Sequence, residues 1–132
     1  MAKTARDEGF GQSLDDKALQ AARQLAQLGI SAEVIDPRTL RPLDLDTIIA
    51  SVKKTSRLLI AHEGWKHGGF GAEVSAAVAE HAIDWLDGPI ARVTSRDLPM
   101  PYNDRLERAT MPQAADIVDA AMALVRRDHA PA

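Results

Sequence analysis

Residues 1–13 show no periodic apolar pattern; they mix charge with glycine. The pattern changes at Leu14. Leu14, Ala18, Ala22, Leu25 and Leu28 recur at helical spacing and predict an amphipathic helix. Asp15 and Asp16 suit its positive end, and Gly29 is placed to stop it. Ala32–Asp36 (AEVID) is a short apolar run closed by Pro37, which predicts a strand. Asp44 is the expected cap of a second helix, with Leu45, Ile48, Ile49 and Val52 on one face and Lys53 and Lys54 at its negative end.

Arg57–His62 (RLLIAH) reads as a buried strand, and a helix from about Gly71 to Leu86 follows it. On that helix Val74, Ala77, Val78, Ala82 and Trp85 share a face, and His81 leans towards it as a hydrogen-bonded, partly buried side chain. Gly88-Pro89 ends the helix; Ile90–Ser95 predicts a third strand. A proline-punctuated loop with a helical turn at Asp104–Arg108 leads to a final helix, Gln113–Arg127. Residues 128–132 form a tail expected to fray. Helices alternating with strands through short connections predict an α/β fold: a three-layer α/β/α sandwich with a mostly parallel sheet. Three strands are few for four helices, and the first helix has no strand before it.

Composition narrows the function classes. At 132 residues the chain holds one core, here assigned to 14–127. A formal net charge of −3 gives no nucleic-acid surface, and the absence of cysteine removes disulfide and thiolate chemistry. No apolar run approaches the roughly 18 residues of a membrane span, and the start lacks the apolar region of a signal peptide. A cytoplasmic location is therefore expected.

The densest chemistry is HEGWKHGGFGAE, His62–Glu73. A zinc-protease helix needs histidines four apart; His62 and His67 are five apart, and the glycines disfavour a helix. Gly69-x-Gly71 lacks the third glycine of a dinucleotide fingerprint, and no lysine completes a P-loop. Two readings of Gly68–Gly71 stay open: a small-anion site at a helix N-terminus, or a tight strand-to-helix turn. Asp36 with Arg38, His62 with Glu63, and Arg96 with Asp97 each follow an expected strand. They would share the sheet's C-terminal edge, as a ligand-site rim or as a loop-ordering ion network. Asp84-Trp85-Leu86-Asp87 and the loop at Tyr102 read either as a partner surface or as helix-end packing.

VIDPRTLRPLDLDTI, SRLLIAHEGWKHGGFGAEV, RVTSRDLPMPY and LERATMPQAADIVDAA follow one another in an order and spacing that carry a resemblance. Over about Leu14–Val125 the chain resembles the C-terminal domain of the E1 β subunit of thiamine-diphosphate-dependent 2-oxo acid dehydrogenases. These are the pyruvate, branched-chain and acetoin enzymes of the transketolase group. The resemblance implies an isolated assembly domain without catalytic, cofactor-binding or metal-binding residues of its own. Thiamine diphosphate and Mg would belong to the parent enzyme. Implied partners are an E1 α subunit, a second E1 β subunit and the basic subunit-binding domain of the E2 acyltransferase. Asp87, with Asp84 beside it, falls where family members offer a carboxylate to E2. Asp36, Arg38, His62 and Glu63 become candidates for lining the parent's channel or the sheet edge. The family domain opens with an apolar strand; the matching stretch here, Thr4–Gly11, has no such run. Its loss would leave strand edges unpaired, so a homo-oligomer is expected.

Overall fold

A computed structural model describes residues 13–126. In chain order its elements are α1 (Leu14–Gln27), α2 (Leu45–Thr55), β1 (Leu59–Trp65), α3 (Phe70–Ala82), a single 3₁₀ turn (Ile83–Trp85), β2 (Ala91–Ser95), α4 (Asp104–Thr110) and α5 (Ala114–Arg126). The stretch Thr4–Gly11, where the family strand was sought, and the tail 128–132 lie outside the described residues.

The helix ends follow from local chemistry. Ser13 caps α1 by accepting the Asp16 N–H, and Asp44 caps α2 by accepting the Thr47 N–H at 3.2 Å. Gly29 takes φ +79° just past α1, so that its N–H and that of Ile30 return to Ala26 and Leu25.

β1 and β2 are parallel, with Leu59 opposite Ala91 and His62 opposite Thr94. Period-2 alternation divides the core between two faces. Leu58 and Ile60 pack with Ile48 and Val52 of α2 and Val74, Val78 and Ala82 of α3. Leu59, Ala61 and Val93 pack against Ala21 of α1 and Ala114 and Ile117 of α5. These are the three layers expected from the sequence.

The strand expected at Ala32–Asp36 does not form. No residue there joins a ladder; β1 pairs with β2 alone among the described residues. A strand is defined by a partner, and no described strand offers AEVID one. Ile35 still packs on the α2–α3 cluster, whereas Val34 is exposed.

Two helix faces also differ from expectation. The buried line of α1 is Lys17, Ala21 and Leu25, rotated from the apolar stripe, and Leu28 is exposed. The lysine stem lies in this contact because its amine reaches the Pro112 carbonyl at 3.0 Å. Helix α3 stops at Ala82, and the tighter 3₁₀ turn swings Trp85 off the apolar face. Trp85 is half-exposed under the Lys53 ammonium, 5.3 Å from the ring centre. His81 is exposed rather than partly buried; its Nδ1 lies 2.8 Å from the Ala77 carbonyl, one turn back.

Candidate functional site

The carboxyl ends of β1 and β2 bring the glycine-rich segment and the SRD segment together. After His62 the register slips, and Trp65 lies opposite Ser95. The bulge is held by the Ser95 hydroxyl, which donates to the Glu63 carbonyl at 2.6 Å. The Glu63 side chain is exposed. Beyond the strands, Asp97 accepts the Lys66 N–H at 2.9 Å and also meets the His67 ring, which ties the two loops into one rim. That contact with His67 is the main reason the Asp97 carboxyl is held below its ordinary range.

His62 accounts for the glycines. It lies within β1 rather than at its end, and its ring is packed among three Cα atoms. An added Cβ would come within 2.9 Å of the ring at Gly64 and within 2.6 Å at both Gly69 and Gly71. Gly69 also caps α3, and Gly68 takes φ +66° to turn the chain into it. The inner side of this turn is therefore filled by imidazole. This supports the strand-to-helix turn over a small-anion site at Gly68–Gly71.

The protonation of His62 is set by its contacts. Nδ1 accepts the Gly64 N–H at 3.1 Å, which places the neutral ring's proton on Nε2. Nε2 is buried and has no hydrogen-bond partner among the described residues. Desolvation first, and the Arg92 charge second, lower the His62 pKa below its usual 6.5. The unfolded chain therefore binds this proton more readily than the folded one. The stabilising contribution is complete above about pH 6.5 and is lost as pH falls towards the depressed folded value. Urea midpoints should drop between pH 7.5 and 5.5, and His62→Leu should remove most of that slope. An unchanged slope in the variant would place the titration elsewhere.

Asp36 and Arg38 do not join this rim. Arg38, at φ +61°, places Nε 2.8 Å from the Asp36 carboxylate, and its N–H donates to the same group at 3.0 Å. The pair closes its own exposed loop, as the loop-ordering reading requires. Asp84 and Asp87 lie beyond the opposite end of the sheet, before β2 begins. Both are exposed. The Asp87 N–H donates to the Ser56 carbonyl at 3.0 Å, and its carboxylate is 3.6 Å from Arg57. Beside it, Ser75, Ala79, Ile83, Leu86 and Pro89 line a shallow groove of about 360 Å³.

Sequence reasoning missed the His67–Asp97 contact because 30 residues separate the two side chains. The RD pair after an expected strand was the available signal. It marked the correct edge and paired Asp97 with the wrong cation. No group of three or more metal-ligating side chains gathers among the described residues. None of the described helices is long and apolar enough to cross a membrane.

Comparison with known proteins agrees with this geometry. The family described as "Transketolase, C-terminal domain" matches residues 9–117. The pyruvate dehydrogenase E1 component subunit beta of Dictyostelium discoideum is 48% identical over 120 residues, which are 91% of this chain and 33% of that protein. The beta-1 subunit of Arabidopsis thaliana is 52% identical over 103 residues, 78% of this chain and 28% of that protein. The Rickettsia bellii subunit beta is 48% identical over 103 residues, 78% of this chain and 32% of that protein. A solved structure described as a split gene transketolase, inactive beta4 tetramer, superposes with a TM-score of 0.67 at 29% identity, covering 84% of this chain and 34% of that one. The chain spans about a third of the length of the curated relatives it matches. By sequence and by fold, it belongs to the transketolase C-terminal domain family, in the form found in pyruvate dehydrogenase E1 β subunits.

Proposed function

We propose that this chain serves as the C-terminal assembly domain of a 2-oxo acid dehydrogenase E1 β subunit. Pyruvate is the favoured substrate of the parent enzyme. The observation that carries this is 48–52% identity to pyruvate dehydrogenase E1 β subunits across most of the chain, on a matching fold. The domain's work is contact with E1 α, with a second β subunit and with the E2 subunit-binding domain, while thiamine diphosphate and Mg act elsewhere in the parent. A cytoplasmic setting belongs to the same reading and rests on composition alone.

Two features support an assembly role. The outer edge of β1 has no strand beside it among the described residues, which favours pairing with another chain. Asp84 and Asp87 stand beside the exposed Ile83 and Trp85, an acidic rim around apolar side chains that suits a basic partner. The Asp87–Arg57 contact does not compete strongly with that use. Asp87 is 70% exposed, and exposed pairs contribute little to stability.

Sedimentation velocity can test both features together. The chain alone at micromolar concentration should sediment as a species heavier than its 14.3 kDa monomer. Added E2 subunit-binding domain should co-sediment, and Asp87→Lys should weaken that binding about tenfold or more while leaving the circular dichroism spectrum unchanged. A monomer that ignores the E2 domain would overturn the reading. Unchanged affinity in Asp87→Lys would remove Asp87 from the interface.

A further inference from the structure

The rim at the carboxyl ends of β1 and β2 continues into a second feature that the E2 reading does not use. Between β2, the end of α4 and the start of α5 lies a groove of about 450 Å³. That volume is within the range of small-molecule sites, and the groove sits where open α/β sheets place ligands. Its lining includes Lys66, Arg92, Arg96 and Arg108, with Asp116 as its one carboxylate. The whole chain carries 19 acidic and 16 basic side chains, so four cations on one wall run against the background charge.

The main chain beneath these cations is tied together, and the cations are not neutralised. Arg92 donates from Nη1 to the Lys66 carbonyl at 3.0 Å, which joins two of the four. The Arg96 N–H donates to the Thr110 carbonyl at 3.0 Å and so fixes β2's end against α4. None of the four forms an ion pair among the described residues. Asp116 is already engaged, accepting the Gln113 N–H at 2.8 Å, and Asp97 nearby is taken by His67 and the Lys66 N–H. Clustered like charge destabilises a fold unless a counter-charge arrives. Three guanidinium groups offer planar, paired N–H donors matched to phosphate oxygens, and the lysine adds a point charge.

We infer that this groove binds a small polyanion carrying two adjacent phosphate groups, recognised by Lys66, Arg92, Arg96 and Arg108. Binding by charge needs no metal ion, which separates it from a Mg-assisted cofactor site. It is also separate from the Gly68–Gly71 turn, which His62 fills. The inference stands whether or not the E2 surface is real, because the two lie at opposite ends of the sheet.

Inorganic diphosphate is the probe. Titrated without Mg into the full chain, it should bind saturably in the submillimolar range, shifting amide resonances of Lys66, 92–96, 108–111 and Gln113. Because Arg96 and Arg108 are exposed, Arg96→Gln/Arg108→Gln should fold normally and lose about tenfold or more in affinity. Arg38→Gln/Lys54→Gln, at exposed cations outside the groove, should bind as the parent chain does. Three results would overturn the inference: no saturation up to about 10 mM, shifts confined to Gly68–Gly71, or equal loss in both double variants, which would mean general charge screening.

Discussion

Gly69→Ala should cost about 3 kcal/mol of stability, and His62→Ala should not restore it. At this size that loss lowers the thermal midpoint by roughly 10 °C. Gly69 has an ordinary negative φ of −77°, so backbone strain is not the cause. The cause is space. An alanine Cβ at Gly69 would overlap the Trp65 carbonyl oxygen, a main-chain atom that cannot rotate away, as well as meeting His62 Cε1 at 2.6 Å. Gly71 is the control. There the obstruction is mainly side chain, with His62 Cδ2 at 2.6 Å and Ile60 Cγ2 at 3.2 Å. Gly71→Ala alone should therefore destabilise, and Gly71→Ala/His62→Ala should recover much of that loss. Urea unfolding of the parent chain and five variants, the three single substitutions and the two pairs with His62→Ala, forms two double-mutant cycles. Strong coupling to His62 at Gly71 and weak coupling at Gly69 is the expected outcome. The reverse pattern would mean that the turn is built differently.

A second large effect is expected at Lys17, a residue no motif singles out. Its side chain is buried at 8% exposure, and its ammonium donates to the Pro112 carbonyl at 3.0 Å, joining residues 95 apart. A lysine so near the start of a helix opposes the helix dipole, so local preference does not explain it. Its tertiary role does. Pro112 is itself fully buried, and its carbonyl has no other donor among the described hydrogen bonds. Lys17→Ala removes both the apolar stem and the donor and should cost about 2–3 kcal/mol. Lys17→Met keeps the stem and should cost about 1–2 kcal/mol, the part due to the unsatisfied carbonyl. Equal stabilities for the two variants in chemical denaturation would show that the hydrogen bond, not the stem, carries the effect, and a Lys17→Met variant as stable as the parent chain would show the reverse.

Much of this protein is decided within short stretches of chain. Apolar periodicity marks α1, α2, α3 and α5, because a helix buries one stripe whatever it packs against. The caps at Asp44 and Gly29 are equally local. They satisfy backbone groups within four residues, and so they are visible in the sequence itself. Alternation of helix and strand gives the layered α/β architecture, and four ordered motifs point to the family. The missed features are those that need a partner distant in sequence. AEVID has a strand's composition and no strand beside it, so its pattern alone could not make it one. Lys17 looks like a solvated charge until Pro112 is brought against it. Lys66, Arg92, Arg96 and Arg108 are scattered cations until β2 and the start of α5 form one wall. HEGWKHGGFGAE shows the division within twelve residues. Its spacing excludes a zinc helix from sequence alone. Only the fold shows that the three glycines make room for His62, because that requirement comes from atoms packed together in space.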